Sequence, residues 1–438
     1  MTNVALWMWL GCSGKKVQME TFEATWTVVN ETFPYEDFNG TNWNEVHDAY
    51  LPLAKKAKTA DDLRPVLQDM LSELNVSHMA VIPEADFSVM DKNASNDSSN
   101  SAESKDDGND ESETEVVDQG WVGLSARWIE EQLVVTSVDG REDVQMGWVI
   151  DSINDISVAS RAERFSDPRR QSFYMGRFAE GRFYGDINDT VEVTFKDAEG
   201  EVQERTLTYE KGHVMTTGTS FNLPSTGVSF VHQQIEPGID TIAFTSFMMP
   251  IRDPMTEAFE QIAELKPQGL IVDLRGNPGG LIVLGQKLSG YLISEKGLDL
   301  GEQITRDGNL FLDIHPRPAS LRYAGPVAFI VDETSASTSE VLAGGLQELG
   351  RIEVFGQQTA GKALPSGVRE LPNGDRLQYV LSDLKTPSGG RYEGEGVIPD
   401  HPVNRMRSDY VQGIDPEMAA AIKWIKEQYP TKEIGETE

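Results

Sequence analysis

The sequence predicts a multidomain α/β protein with an N-terminal helical region, a β-rich domain and a layered α/β core. Apolar residues at helical spacing dominate the start of residues 20–90, and short strands separated by turns fill residues 119–212. Residues 213–438 alternate apolar strands with helices, which is the pattern of an α/β layered core. A chain of 438 residues is long enough for two or three domains.

Composition excludes several classes of function. The formal net charge is −33, so the surface repels phosphate backbones and we predict no nucleic-acid partner. Six histidines and one cysteine form no metal-ligand cluster and no disulfide framework. We therefore expect no metal and no cofactor.

The N-terminal tail, residues 1–19, contains the run VALWMWLGC, which ends at Cys12. The run resembles a bacterial lipoprotein signal, in which the cysteine becomes the lipidated first residue. No Lys or Arg precedes it, which a start codon assigned too late would explain. The resemblance implies the periplasmic side of a bacterial cell envelope and a membrane link through a lipid on Cys12. The alternative is an ordinary N-terminus with an incidental free cysteine.

Residues 20–75 predict three helices, each beginning near a Thr or Asp cap. We expect the large apolar side chains of these helices to form their core: Trp26, Phe33, Trp43, Tyr50 and Leu67.

Residues 91–118 form an acidic, low-complexity segment that is almost free of apolar side chains. Such a segment cannot bury enough surface to offset the entropy lost on ordering. We predict a flexible insertion.

Residues 119–212 resemble a PDZ domain. The resemblance implies that a peptide ligand adds as a strand at the sheet edge and that loop amides hold its terminal carboxylate. The loop in question is Gly120, Trp121, Val122, Gly123 and Leu124. Within this domain, residues 161–183 are rich in arginine and aromatic residues. They predict either a solvated helix or a contact surface for acidic or C-terminal peptide groups.

The stretch between Asp332 and Lys362 contains the strongest candidates for catalytic side chains. An apolar strand leads into a run of small hydroxyl residues, and a helix follows, which presents a hydroxyl beside free helix N–H groups. A serine nucleophile needs a base, and lysine can act as one only if burial lowers its pKa by about 3 units. A simple helix N-cap is the alternative interpretation.

This stretch resembles the active-site segment of the C-terminal processing (tail-specific) serine peptidases of family S41. Aligned on the SxSE motif, the nucleophile is Ser337 and the general base is Lys362. VDLRGNPGG (272–280) and YEGEGVIPDHPV (392–403) match two further family motifs. The resemblance implies a ClpP/crotonase-like peptidase core. It also assigns the oxyanion and substrate-binding positions to Gly279, Gly280 and Thr338.

The sequence departs from the family at two positions. Glu348 stands where Asp is usual, and Ser366 stands where Gln commonly orients the lysine amine. An alternative base set therefore stays open: Ser77, His78 and Glu393, as in the tricorn-type members. Histidine needs no large pKa shift to act near neutrality.

Together these observations predict a serine endopeptidase that cleaves proteins, recognised through their C-termini, in the cell envelope. The alternative from another class is a catalytically silent PDZ scaffold that binds C-termini without cutting them.

Overall fold

The computed structural model describes residues 4–84, 118–217 and 226–429, with side chains from residue 15 onward. The side chain of Cys12 therefore lies outside the described residues. So does the predicted insertion, residues 91–118, apart from its last residue. That residue, Asp118, pairs with Lys211 at 2.9 Å.

Three helices open the chain: α1 Val4–Thr32, α2 Trp43–Ala54 and α3 Ala60–Ser72. Thr59 caps α3 by accepting the amide of Asp62. The indoles of Trp26 and Trp43 each donate to the other residue's carbonyl, at 3.1 and 3.2 Å, which joins α1 to α2. The predicted boundary between residues 19 and 20 is not a structural one, because α1 runs through it.

In the part of the chain that the structure describes, none of the helices is both long enough and apolar enough to span a membrane.

The β-rich domain is an antiparallel sheet covered by two helices. Its strands are β2 Gln119–Trp121, β3 Leu124–Ile129, β4 Gln132–Val138, β5 Val149–Ile153, β6 Ile156–Ser157, β7 Tyr184–Asp186, β8 Thr190–Lys196 and β9 Val202–Thr208. Its helices are α4 Val158–Ala162 and α5 Pro168–Phe183. The sheet order is β3-β4-β5-β8-β9, with β6 beside β5, and β2 pairs separately with β7. Met175, Phe178 and Phe183 of α5 are buried against this sheet.

The core is a seven-stranded mixed sheet flanked by helices, which confirms the predicted α/β multidomain architecture. Its strands are β10 Val214–Thr216, β11 Gly227–Glu236, β12 Ile239–Phe244, β13 Gly269–Asp273, β16 Val327–Val331, β17 Glu353–Gly356 and β21 His401–Pro402, in that spatial order. The helices of this part are α6 Arg252–Leu265, α7 Ile282–Leu292, α8 Thr338–Glu348, α9 Arg407–Val411 and α10 Pro416–Gln428. Three single-turn 3₁₀ helices are also described, at Phe38–Gly40, Met249–Ile251 and Ala319–Leu321.

Two small sheets complete the fold. One contains β14 Asp299–Thr305, β15 Gly308–Asp313 and β20 Asp383–Lys385. The other contains β1 Ala80–Ile82, β18 Ser366–Glu370 and β19 Arg376–Val380. Leu364, Leu371 and Leu377 of this second region share a hydrophobic core with α1 to α3. The N-terminal helices are thus packed on a C-terminal part of the chain.

The parallel strands set the position of the site. β13 and β16 are parallel neighbours, with Asp273 opposite Ile330. Their carboxyl ends meet at one edge of the sheet, where ligand sites of α/β folds usually lie. The chain segments 274–280 and 332–337 leave from this edge.

Candidate active site

The turn after β16 holds Ser337 in a strained conformation. Asp332 accepts the amides of Thr334 at 2.9 Å, Ser335 at 3.0 Å and Gly276 at 3.2 Å, which folds the chain back at the end of the strand. Ser337 then adopts φ +55° and ψ −120° immediately before α8. A non-glycine residue pays for such a backbone in free energy, and strain of this kind concentrates at functional sites. The turn thus presents the Ser337 side chain at the head of a helix.

Arg127 of the β-rich domain supports this turn. Its Nε donates to Asp332 at 2.5 Å and its Nη1 donates to Glu180 at 2.5 Å. Burial opposes ionisation of Asp332, but the charges of Arg127 and Arg405 and the hydrogen bonds from Thr334 and Gly276 together outweigh burial and hold the pKa of that carboxyl well below its usual value. The β-rich domain is therefore bonded directly to the segment that carries Ser337.

Two backbone amides beside Ser337 are free to bind an oxyanion. Among the described residues, the N–H groups of Gly280 and Thr338 have no acceptor. The N–H of Gly279 is not available, because it donates to Asn277 Oδ1 at 2.9 Å. Gly279 instead permits close approach: its φ is +98°, and a Cβ there would lie 2.6 Å from Ser337 Cβ. Of the three predicted positions, Gly280 and Thr338 offer donors.

Lys362 lies on the loop that faces Ser337. Its carbonyl accepts the Ser337 amide at 2.8 Å, so the main chains of the two residues are in contact. Its Nζ lies over the rings of Phe173 and Tyr174 of α5, 5.1 and 5.4 Å from their centroids. No hydrogen bond joins Nζ to Ser337 Oγ within the described ranges.

The two residues that depart from the family pattern do not bond to Lys362. Ser366 Oγ accepts Gln378 Nε2 at 3.0 Å, and Glu348 accepts the amide of Ser388 at 2.8 Å. In this structure the lysine amine instead lies over the aromatic rings of α5.

The alternative base set is assembled. Ser77 Oγ donates to Glu393 Oε2 at 2.9 Å and lies 2.6 Å from His78 Nδ1. The single proton of the Ser77 hydroxyl is directed to Glu393. The hydrogen bond between Ser77 Oγ and His78 Nδ1 must therefore use a proton on Nδ1. Nε2 is then left with its lone pair, which is the form of imidazole that acts as a general base.

The surroundings of His78 keep its imidazole neutral. Burial and, to a smaller extent, the positive charge of Lys362 lower its pKa to about 4. The ring is therefore an available proton acceptor at neutral pH.

Loop 359–363 brings the two candidate bases together. The amide of Ala363 donates to Glu393 at 3.1 Å, and the amide of Lys362 donates to Glu340 at 2.9 Å. Residues from the N-terminal helical region and from the core thus surround one loop, although they are far apart in the sequence.

The Arg- and aromatic-rich segment predicted at residues 161–183 contacts these active-site loops through α5. Arg169 donates to the carbonyls of Thr359, Gly394 and Glu395 at 2.6 to 2.8 Å. Sequence reasoning assigned no role to Glu340 or to the rings of Phe173 and Tyr174. The sequence signals that could have indicated them were the SxSE motif for Glu340 and the unusual density of aromatic residues in 161–183 for Phe173 and Tyr174.

The loop predicted to hold a peptide carboxylate has at least two of its five amides engaged within the protein. Trp121 N donates to Glu210 O at 2.7 Å and Val122 N donates to Phe183 O at 3.0 Å. A cavity of about 340 Å³ lies beside the loop. Its ionisable lining residues are Asp139, Arg141, Glu142, Asp143 and Glu210. Acidic groups dominate this surface.

Comparison with protein families gives two matches. Residues 238–403 match the model described as Peptidase family S41, and residues 17–72 match the Tricorn protease C1 domain.

Curated relatives are named as processing proteases. The Arabidopsis thaliana carboxyl-terminal-processing peptidase 2, chloroplastic, is 29% identical over 46% of this chain and 38% of its own length. The carboxyl-terminal-processing protease of Synechocystis sp. is 26% identical over 54% of this chain and 53% of its own length. The Tetradesmus obliquus C-terminal processing peptidase, chloroplastic, is 23% identical over 86% of this chain and 76% of its own length. The chain thus spans between a third and just over half of the first two relatives.

Solved structures share the fold at low sequence identity. The photosystem II D1 C-terminal processing protease has a TM-score of 0.55 at 20% identity, covering 88% of this chain and 93% of its own. Mature CPAF complexed with lactacystin has a TM-score of 0.59 at 10% identity, and the match covers 95% of this chain and 98% of the CPAF chain.

Proposed function

The chain carries a peptidase domain of family S41 at residues 238–403, and on that premise we propose that it is a serine endopeptidase with Ser337 as its nucleophile. The observation that carries the proposal is the strained backbone of Ser337 beside the two free amides of Gly280 and Thr338. A nucleophile next to such donors is the arrangement that acyl transfer requires.

In the proposed reaction, Ser337 Oγ attacks the carbonyl carbon of the scissile peptide bond as the base takes the hydroxyl proton. The carbonyl oxygen becomes an oxyanion, which the amides of Gly280 and Thr338 stabilise. Collapse breaks the C–N bond and the base returns the proton to the leaving amine. Water then hydrolyses the acyl-enzyme by the same steps.

The hydrogen bonds that orient its ring support His78 as the general base, although among the described residues no hydrogen bond joins it to Ser337 Oγ, as none joins Lys362 Nζ. Its Nδ1 proton is directed to Ser77, Ser77 is bonded to Glu393, and its Nε2 is free to accept a proton. Its pKa of about 4 keeps it neutral at physiological pH. Lys362, whose charge lies close by, would help to hold the imidazole neutral.

Lys362 is the second candidate base, and its position after the SxSE motif supports it. To act, its amine must lose a proton and reach Ser337 Oγ from its place over the α5 rings. Substitution separates the two mechanisms. If His78→Ala abolishes turnover of fluorescent casein and Lys362→Met retains part of it, the histidine mechanism holds. The reverse result establishes the Ser-Lys mechanism.

The proposal as a whole is tested with the same substrate. Wild-type protein should release fluorescence from labelled casein and Ser337→Ala should not. A protein that binds peptides without any Ser337-dependent turnover would instead be a silent scaffold.

We further propose tail-specific action in a bacterial envelope, with a PDZ-type domain at residues 119–212 and a lipid on Cys12. The relatives named as processing proteases support this class of substrate. The acidic surface beside Trp121 and Val122 bears on recognition, because it would repel a free carboxylate. Cleavage of one protein with a free and with an amidated C-terminus measures that recognition. Labelling with a palmitate analogue in a bacterial host, with Cys12→Ser as control, tests the anchor.

A further inference from the structure

We propose that Glu340 is a positioning residue that fixes the nucleophile Ser337 against the 359–363 loop through four hydrogen bonds. This inference rests on the proposed function of Ser337. It concerns a buried carboxyl group that takes no part in the reaction described above.

Glu340 joins two segments of the chain. Its Oε2 accepts the amide of Ser337 at 3.0 Å and the amide of Lys362 at 2.9 Å. Its Oε1 accepts the amide of Gly361 at 2.6 Å and the hydroxyl of Thr359 at 2.6 Å. One side chain therefore connects the nucleophile's own backbone to three residues of the facing loop.

The bonding pattern requires a carboxylate. All four partners are donors and the two oxygens accept two bonds each, so an ionised group satisfies every donor. Burial opposes this and, despite the four donors that favour the ionised form, raises the pKa of Glu340 to about 7. Burial of a carboxylate costs desolvation free energy, which hydrogen bonds to the carboxylate offset. The four hydrogen bonds to Glu340 do this, and they also connect the two segments.

Glu340 does not act on substrate directly. The residue is fully buried and its oxygens are turned toward the protein's own amides. Its influence on the reaction must therefore pass through the backbone of Ser337, which already has a strained φ of +55°. Without the carboxylate, the Ser337 amide keeps only its bond to Lys362 O and the amides of Gly361 and Lys362 lose their acceptor.

The loop is held from its other side by Glu393, which accepts the amide of Ala363. The consecutive amides of Gly361 and Lys362 thus donate to Glu340, and the next amide, that of Ala363, donates to Glu393. Glu393 also holds the Ser77–His78 pair. Glu340 and Glu393 together set the distance between the nucleophile and whichever of the two groups serves as base.

The Glu340→Gln variant tests the role. The glutamine side chain keeps one acceptor oxygen, but an NH₂ group replaces the other oxygen and faces backbone donors. Part of the connection between Ser337 and the 359–363 loop is therefore lost. A displacement of about 1 Å at a reacting group lowers the rate by about 10²-fold. We expect kcat on fluorescent casein to fall by about that factor while KM stays within twofold, because the substrate cleft itself is unchanged.

The matched control is Asp375→Asn. Asp375 is equally buried and accepts the amide of Glu84 and the side chain of Arg64, but it lies in the turn between β18 and β19. This control should lower Tm and leave kcat unchanged. Glu340→Gln should also lower Tm, because it leaves buried donors without their acceptor, but it alone of the two variants should lower kcat.

The outcomes separate this inference from the function on which it rests. If wild type does not turn over casein, the proposed function fails. If wild type is active and Glu340→Gln retains wild-type kcat, the positioning role is wrong and the proposed function stands. If Asp375→Asn lowers kcat as much as Glu340→Gln does for a similar fall in Tm, the loss of activity follows stability alone and the positioning role is wrong.

Discussion

Ser77 and Glu393 are joined by two hydrogen bonds, from the Ser77 amide at 2.7 Å and from its hydroxyl at 2.9 Å, although 316 positions separate them. This contact attaches the segment after the N-terminal helices to the loop opposite Ser337. The N-terminal helical region is therefore part of the candidate site, because it carries the histidine that Ser77 orients.

Substitution of Glu393 should weaken catalysis through His78. In Glu393→Gln the carboxylate no longer fixes the Ser77 hydroxyl, so the proton on Nδ1 loses its directed acceptor. General base catalysis contributes about 10²- to 10⁴-fold, and loss of its orientation should lower kcat/KM by at least about tenfold. Turnover of fluorescent casein measures this. Glu395→Gln, an exposed side chain two positions along, is the control and should match wild type.

The depressed pKa of His78 predicts a pH dependence of stability. The folded value is about 4, whereas an unfolded histidine has a pKa near 6.5. Between these values the unfolded state binds a proton that the folded state does not, so the stability contribution is complete above about pH 6.5 and is lost as pH falls toward 4. Denaturant unfolding at a series of pH values should show a shallower decline for His78→Gln than for wild type. Equal slopes would mean that the histidine is not kept neutral by its surroundings.

Gly279→Ala should abolish activity for a steric reason. The added Cβ would lie 2.6 Å from Ser337 Cβ and 2.8 Å from the Thr338 amide, and φ is +98°. Displacement of these atoms disturbs both the nucleophile and an oxyanion donor, which predicts a loss of about 10²-fold or more in kcat. Gly297→Ala is the matched control. Its φ is also positive, +79°, but no atom lies within 4 Å of the new Cβ, so only a modest loss of stability is expected. Equal activity of the two variants would contradict the proposed geometry.

Arg127→Met should destabilise the protein strongly. The change leaves Asp332 and Glu180 without their buried partner, and breaking such a pair costs about 3–5 kcal/mol. Lys196→Met removes an exposed ion pair with Asp151 and should cost less than about 1 kcal/mol. Denaturation followed by tryptophan fluorescence compares the two. Similar small effects would show that the β-rich domain is not held to the Ser337 turn through Arg127.

Local patterns in the sequence were sufficient for the elements around Ser337. The apolar run before Asp332, the small hydroxyl residues and the helix that follows are close in sequence, and β16, the turn and α8 form as predicted. Gly279 of the RGNPGG segment also lies beside Ser337, as the motif implies.

Contacts between distant segments could not be predicted in this way. Arg127 and Asp332, or Phe173 and Lys362, meet only after the β-rich domain packs on the core, and no periodicity or spacing records that packing. The extent of α1 was missed for a different reason. An apolar run near a terminus does not show by itself where a helix begins, and here α1 begins at Val4. The preference for His78 over Lys362 that we propose rests on hydrogen-bond directions, which a sequence does not contain.

The central claim is that Ser337 is an activated nucleophile, and covalent labelling tests it most directly. A fluorophosphonate probe reacts when a serine oxygen attacks phosphorus and displaces fluoride, which leaves the probe bonded to that oxygen. Peptide mapping by mass spectrometry should locate the adduct on Ser337, and Ser337→Ala should carry none. An intact, folded protein that acquires no adduct, or one labelled at Ser335 or Ser339 instead, would contradict the account.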